Sequence, residues 1–71
     1  MNELERLNEF TRRYISLCDE FKFHFSPGWD RGAIVEGDGV LAAQELESVN
    51  AYIKGRLLEF DGNKWEYDTD E

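Results

Sequence analysis

Cysteine occurs once in this 71-residue chain, at Cys18, so no disulfide framework within the chain can hold it together. A lone thiol fits a reducing compartment. Histidine also occurs once, at His24, and two Cys/His residues fall short of the four ligands of a structural zinc site. Positive charge is scarce: eight Lys and Arg stand against 16 Asp and Glu, for a net charge of −8. This argues against direct nucleic-acid binding and against anionic membranes, which both depend on Lys and Arg meeting phosphate. No apolar run approaches the ~20 residues needed to span a bilayer. The opening Asn2-Glu3-Leu4-Glu5-Arg6 is polar and does not resemble a secretion signal. A soluble, cytoplasmic protein is expected. Gly37-Asp38-Gly39 lacks the Gly-x-x-x-x-Gly-Lys pattern of a phosphate loop and is not an EF-hand loop.

The stretch from Phe21 to Glu36 is the centre of what remains. Phe21, Phe23 and Phe25 alternate with Lys22 and His24, the period-two pattern of a half-buried strand. The three Phe side chains are expected to face the core, with His24 outward. Ser26-Pro27-Gly28 signals a turn, and Ala33-Ile34-Val35 a returning strand. Before this hairpin, Leu4, Leu7, Phe10, Tyr14, Leu17 and Phe21 recur at spacings of three and four, predicting a helix from Asn2 to Cys18. Asn2 and Glu5 are placed as a capping box.

After the hairpin, Asp38 is positioned to cap a second helix over Val40 to Lys54, with Ala42, Leu46, Val49 and Ile53 as its stripe and Gly55 at its C-terminal end. Arg56 to Asp68 reads as a second hairpin. A loop of two or four residues pairs Phe60 with Trp65 and Leu58 with Tyr67, keeping all four on one face. A three-residue loop would split them. Helix continuing through Leu58 is the competing reading.

The order is therefore α-β-β-α-β-β. The fold class is α+β, a single two-layer domain over residues 1–68. Its mostly antiparallel sheet would have about four strands, with two helices packed on one face. Residues 69–71 are expected to fray.

No constellation of residues specifies catalysis, and the chain is expected to be neither an enzyme nor a cofactor protein. His24 has no evident partner for general-base work. Cys18 adjoins Asp19 and Glu20, which disfavour the thiolate.

Two stretches are candidates for partner binding. The first is the loop Trp29, Asp30 and Arg31: Trp and Arg are enriched in binding hot spots. The competing reading makes Trp29 a lid over the end of the sheet. The second is an acidic strip of Glu59, Asp61, Glu66 and Asp68. Residues 55–71 hold six acids against Arg56 and Lys64, and the register above puts Glu59 opposite Glu66, a destabilising arrangement whose retention points to a use for the field. A solvated, aggregation-resistant edge is the alternative.

These features lead to the expectation of a small acidic protein-binding module. It would be an inhibitor or adaptor of the kind phages and mobile elements encode, docking on a basic surface of a larger protein, such as a nucleic-acid-processing one. The second expectation is a homodimer or complex-stabilising subunit, because Ile34, Tyr52 and Leu57 exceed what one small core covers.

Overall fold

The computed structural model describes residues 1–68; the expected fraying of residues 69–71 lies outside them. The described residues form helix α1 (Glu3–Phe21), strands β1 (Phe23–Ser26) and β2 (Ala33–Glu36), helix α2 (Gly39–Leu46), and strands β3 (Ala51–Ile53), β4 (Arg56–Phe60) and β5 (Trp65–Tyr67). The α+β class holds. In place of one sheet of about four strands there are two antiparallel sheets, β1-β2 and β3-β4-β5, the latter with β4 in the middle.

Helix α1 begins as its sequence dictates. The Glu5 N–H donates to Asn2 Oδ1 at 2.8 Å, and Glu5 Oε1 accepts from the Asn2 N–H at 3.4 Å. The helix runs on to Phe21, past the expected end at Cys18, until Lys22 turns into the left-handed region (φ 62°) and its N–H closes on the Cys18 carbonyl. Glu9 gathers both Arg12 and Arg13 on the solvent side.

Helix α2 is shorter than expected. It ends at Leu46, and Ala51–Ile53 is a strand. The spacing of Val49 and Ile53 fits a helix, but Val49, Ala51 and Ile53 also alternate, and burial against the core selects the second pattern. Gly55 is therefore not a helix C-terminus. Lys54 and Gly55, at φ 53° and 80°, form the two-residue left-handed turn that joins β3 to β4. The β4–β5 connection has four residues, and its register pairs Leu58 with Tyr67, Glu59 with Glu66 and Phe60 with Trp65, as the apolar alternation requires.

The core lies on the inner face of the three-stranded sheet. Leu58, Phe60 and Trp65 are buried there, with the Phe60 and Trp65 rings 5.2 Å apart. Both helices cover this face: Leu4, Leu7 and Ile15 come from α1, Ala43 and Leu46 from α2. The helices meet closely at Gly39, where a Cβ would stand 2.9 Å from the Asp19 Cβ. Asp19 accepts a hydrogen bond from the Gly39 N–H at 3.2 Å, so a carboxylate of α1 caps α2 alongside Asp38.

The β1-β2 hairpin departs most from expectation. Its alternation is inverted: His24 and Ser26 are buried, while Phe23 and Phe25 point outward. The inner side of β1 lies against the start of α2, where Gly37 leaves room for the flat edge of an imidazole. A Cβ on Gly37 would fall 2.5 Å from His24 Cε1. A one-residue slip would turn Phe23 and Phe25 inward but drive a phenylalanine into this narrow contact.

Candidate docking face

Helix α1 is apolar around more than one stripe. At about 100° per residue, Leu4, Leu7, Thr11, Ile15 and Cys18 cluster on the arc that meets the core. Phe10, Tyr14, Leu17 and Phe21 cluster roughly a quarter-turn away. The domain covers the first arc and leaves the second open. The outward face of the hairpin adjoins this second arc. Tyr14, Leu17, Phe21, Phe23, Phe25 and Ile34 line one groove of about 320 Å³, with Cys18 and His24 also contributing. Phe10 extends the surface by stacking on Tyr14, ring centroids 6.4 Å apart. The register places Ile34 directly opposite Phe25, and Glu36 opposite Phe23. Phe10, Leu17, Phe21, Phe23, Phe25 and Ile34 remain between 42% and 69% exposed.

Tyr14 fixes the geometry of this face. Its hydroxyl accepts the Phe25 N–H at 2.8 Å, on the side of β1 away from β2. The bond ties the hairpin to the helix and fills a main-chain position at which another strand would otherwise add. Burial pushes the phenol above its ordinary value of 10.0, opposed by the Phe25 hydrogen bond and reinforced by the Cys18 thiol. Phe25 is held from the other side by the turn. Its ring lies against Gly32, at φ 72°, where a Cβ would come within 2.4 Å of the ring edge.

The two stretches singled out in the sequence are both on the surface, but away from this groove. Trp29 is 61% exposed at the tip of the hairpin, so it does not act as a lid; Asp30 and Arg31 beside it are exposed too.

In the acidic strip, Glu59 and Glu66 face each other as the register requires, but Lys64 pairs with Glu66 at 3.2 Å. Asp61 is turned into its own loop, where it accepts the N–H groups of Asn63 and Lys64 at 2.8 and 2.9 Å. The Lys64 N–H, then that of Asn63, hold its carboxyl below the ordinary value of 3.8. Asp68 is half-buried, its N–H on the Leu57 carbonyl. The strip is partly neutralised and partly spent on turn formation.

A larger groove of about 1050 Å³ runs between α1 and α2. Three of its four carboxylates serve local ends: Glu5 in the capping box, Glu9 on Arg12 and Arg13, Asp19 on the Gly39 N–H; the fourth, Glu47, lines its far end near Gly62. Cys18 and His24 are both buried, and no group of three or more potential metal ligands occurs among the described residues. No helix among them is long and apolar enough to cross a membrane.

Sequence reasoning missed the aromatic face because it assigned Phe21, Phe23 and Phe25 to the core. The missed signal is the width of the apolar arc on α1, which is too broad for one sheet to cover. Compared with protein-family models, curated proteins and solved structures, the chain finds no match.

Proposed function

We propose that this chain is a non-enzymatic protein-binding module, a small acidic adaptor or inhibitor, and that it docks through the aromatic face. One observation carries the reading. Six large apolar side chains from a helix and an adjoining hairpin stay substantially exposed on one continuous surface while a polar histidine is buried behind them. The largest apolar patch of an ordinary monomer is roughly 300–600 Å². Aromatic-rich surface of this kind is typical of interface centres. The exposed Trp29 at the hairpin tip extends the same element outward and supplies a second contact. The acidic sheet, at net charge −8 for the chain, serves encounter and solubility more than grip.

The test is capture of a binding partner by the tagged full chain at low and high salt. Two variants run beside it: Phe23→Ser/Ile34→Ser on the face, and Glu59→Lys/Glu66→Lys on the strip. Binding through the face survives high salt and the strip variant and is lost in the face variant. Binding lost only in the strip variant and at high salt would return the docking role to Glu59 and Glu66 on a basic partner.

A further inference from the structure

We infer that the occupant of the aromatic face is a second copy of this chain, packed face to face about a twofold axis. The inference rests on the reading of this surface as a docking face and adds the identity of what docks there.

The area comes first. At about 200 Å² per aromatic side chain, the exposed fractions of Phe10, Leu17, Phe21, Phe23, Phe25 and Ile34 amount to roughly 600–700 Å². One partner contributes ~800 Å² to a standard interface. Flanking atoms would supply the difference. A closed twofold dimer thus covers the apolar surplus of this face, while Trp29, Val40 and Tyr52 stay exposed elsewhere.

Charge placement favours the same occupant. Two chains of net charge −8 repel each other, so a self-association surface has to be where the charge is not. Residues 21–36 hold Lys22 and Arg31 against Asp30 and Glu36 and sum to zero, whereas residues 55–68 hold four acids against two bases. Four of the six side chains, Phe21, Phe23, Phe25 and Ile34, fall on the neutral segment, while Phe10 and Leu17 stand on α1, where residues 1–20 hold five acids against three bases. A partner of strongly basic character would meet little counter-charge here, Glu20 and Glu36 standing at the margin of the face with Lys22 beside them.

Shape allows it too. An isologous contact requires a self-complementary patch. This one combines a groove between α1 and β1 with projecting side chains, Ile34 at 69% and Phe10 at 65% exposed. A ridge and a groove on one surface permit reciprocal insertion.

Sedimentation equilibrium of the full chain, from low-micromolar to millimolar concentration and at two salt levels, tests this. The expected result is a monomer–dimer equilibrium that tightens as salt rises, because screening weakens the repulsion between like-charged chains. Docking on a basic partner has the opposite salt dependence. Ile34→Lys is expected to weaken the dimer by roughly 30-fold or more, as loss of an interface-centre residue does. Circular dichroism should stay unchanged, since the position is exposed.

Isotope-filtered NOEs between labelled and unlabelled wild-type copies, from the Phe23 and Phe25 rings to the Ile34 methyls, give a readout that needs no variant. A monomer at every concentration overturns the inference. If partner capture is still lost in the face variant, the docking reading stands without it; if capture is unaffected too, both fall. A dimer that persists in Ile34→Lys and shows no such NOEs uses another surface, and open-ended association rules out the closed twofold arrangement. Either result overturns the inference.

Discussion

Asn8 holds Trp65 by its backbone on both sides. Its Oδ1 accepts the Trp65 N–H at 2.6 Å, and its Nδ2 donates to the Trp65 carbonyl at 3.2 Å. A side-chain amide thus does for an edge strand what a neighbouring strand would do. One turn along the helix, the Thr11 hydroxyl accepts the indole N–H of the same residue at 2.8 Å, in a buried position. Three hydrogen bonds from one face of α1 fix the depth and rotation of the largest side chain in the core.

This grip gives the first prediction. Thr11→Val keeps the shape but strands a buried indole N–H, at a cost of about 1–3 kcal/mol. Thr11→Ser, which retains the hydroxyl, should recover most of it. Asn8→Ala leaves two main-chain groups of Trp65 without their partner and should cost a similar amount. Urea denaturation of the three variants measures all of this. A wild-type midpoint for Thr11→Val would show that the indole bond contributes nothing.

The second concerns the inverted hairpin. Gly37→Ala places a methyl group within 2.6 Å of His24 Nδ1, and the crowded contact should cost about 1–3 kcal/mol. Combined with His24→Ala, which vacates the space, the loss should be less than the sum of the two single losses. Additive effects in this double-mutant cycle would mean that the imidazole lies elsewhere.

The third sets the two classes of phenylalanine apart. Phe60→Ala empties a buried site and should cost about 3–5 kcal/mol. Phe23→Ser, on the open face, should stay within about 0.5 kcal/mol in dilute solution. Equal losses in thermal melts would put Phe23 back in the core.

The fourth is a pH dependence. The Gly39 N–H, then Lys22, hold the Asp19 carboxyl below its ordinary value of 3.8, and the loop amides do the same for Asp61. A carboxylate with a lowered folded value stabilises the fold above the ordinary value and loses that contribution as pH falls through the lowered one. Stability should therefore decline below pH 3.8, and Asp19→Asn/Asp61→Asn should flatten that limb of the curve while lowering the neutral plateau by the contribution the carboxylates no longer make. Denaturant midpoints at a series of acidic pH values provide the check.

Residues whose pattern admitted one solution were legible in the sequence. Asn2 with Glu5 marked the start of α1, and Leu58, Phe60, Trp65 and Tyr67 permitted only a register that kept them together. Residues compatible with two periods were not. Val49 and Ile53 fit a helix and a strand alike, and the choice fell to the Lys54-Gly55 turn and the neighbouring Leu58.

Alternation in β1 established that Phe23 and Phe25 share a face, but alternation is blind to which face that is. That choice was made by Gly37, distant in the pattern and close in space. The docking face was hidden for the same reason, since an apolar residue in a sequence carries no mark of whether its own chain or another molecule covers it.

The division of the strands into two sheets has a kinetic side. Every buried large apolar side chain in a strand belongs to β4 or β5, while β1 and β2 bury only His24 and Ser26. The two sheets should therefore open as separate units. Amide protons of the hairpin should exchange with solvent through local excursions of low free energy, and those of β4 only when the whole molecule unfolds. A second copy laid across Phe23, Phe25 and Ile34 would slow exchange in the hairpin at concentrations that leave β4 unchanged. The least protected part of the isolated fold would then be ordered by assembly itself.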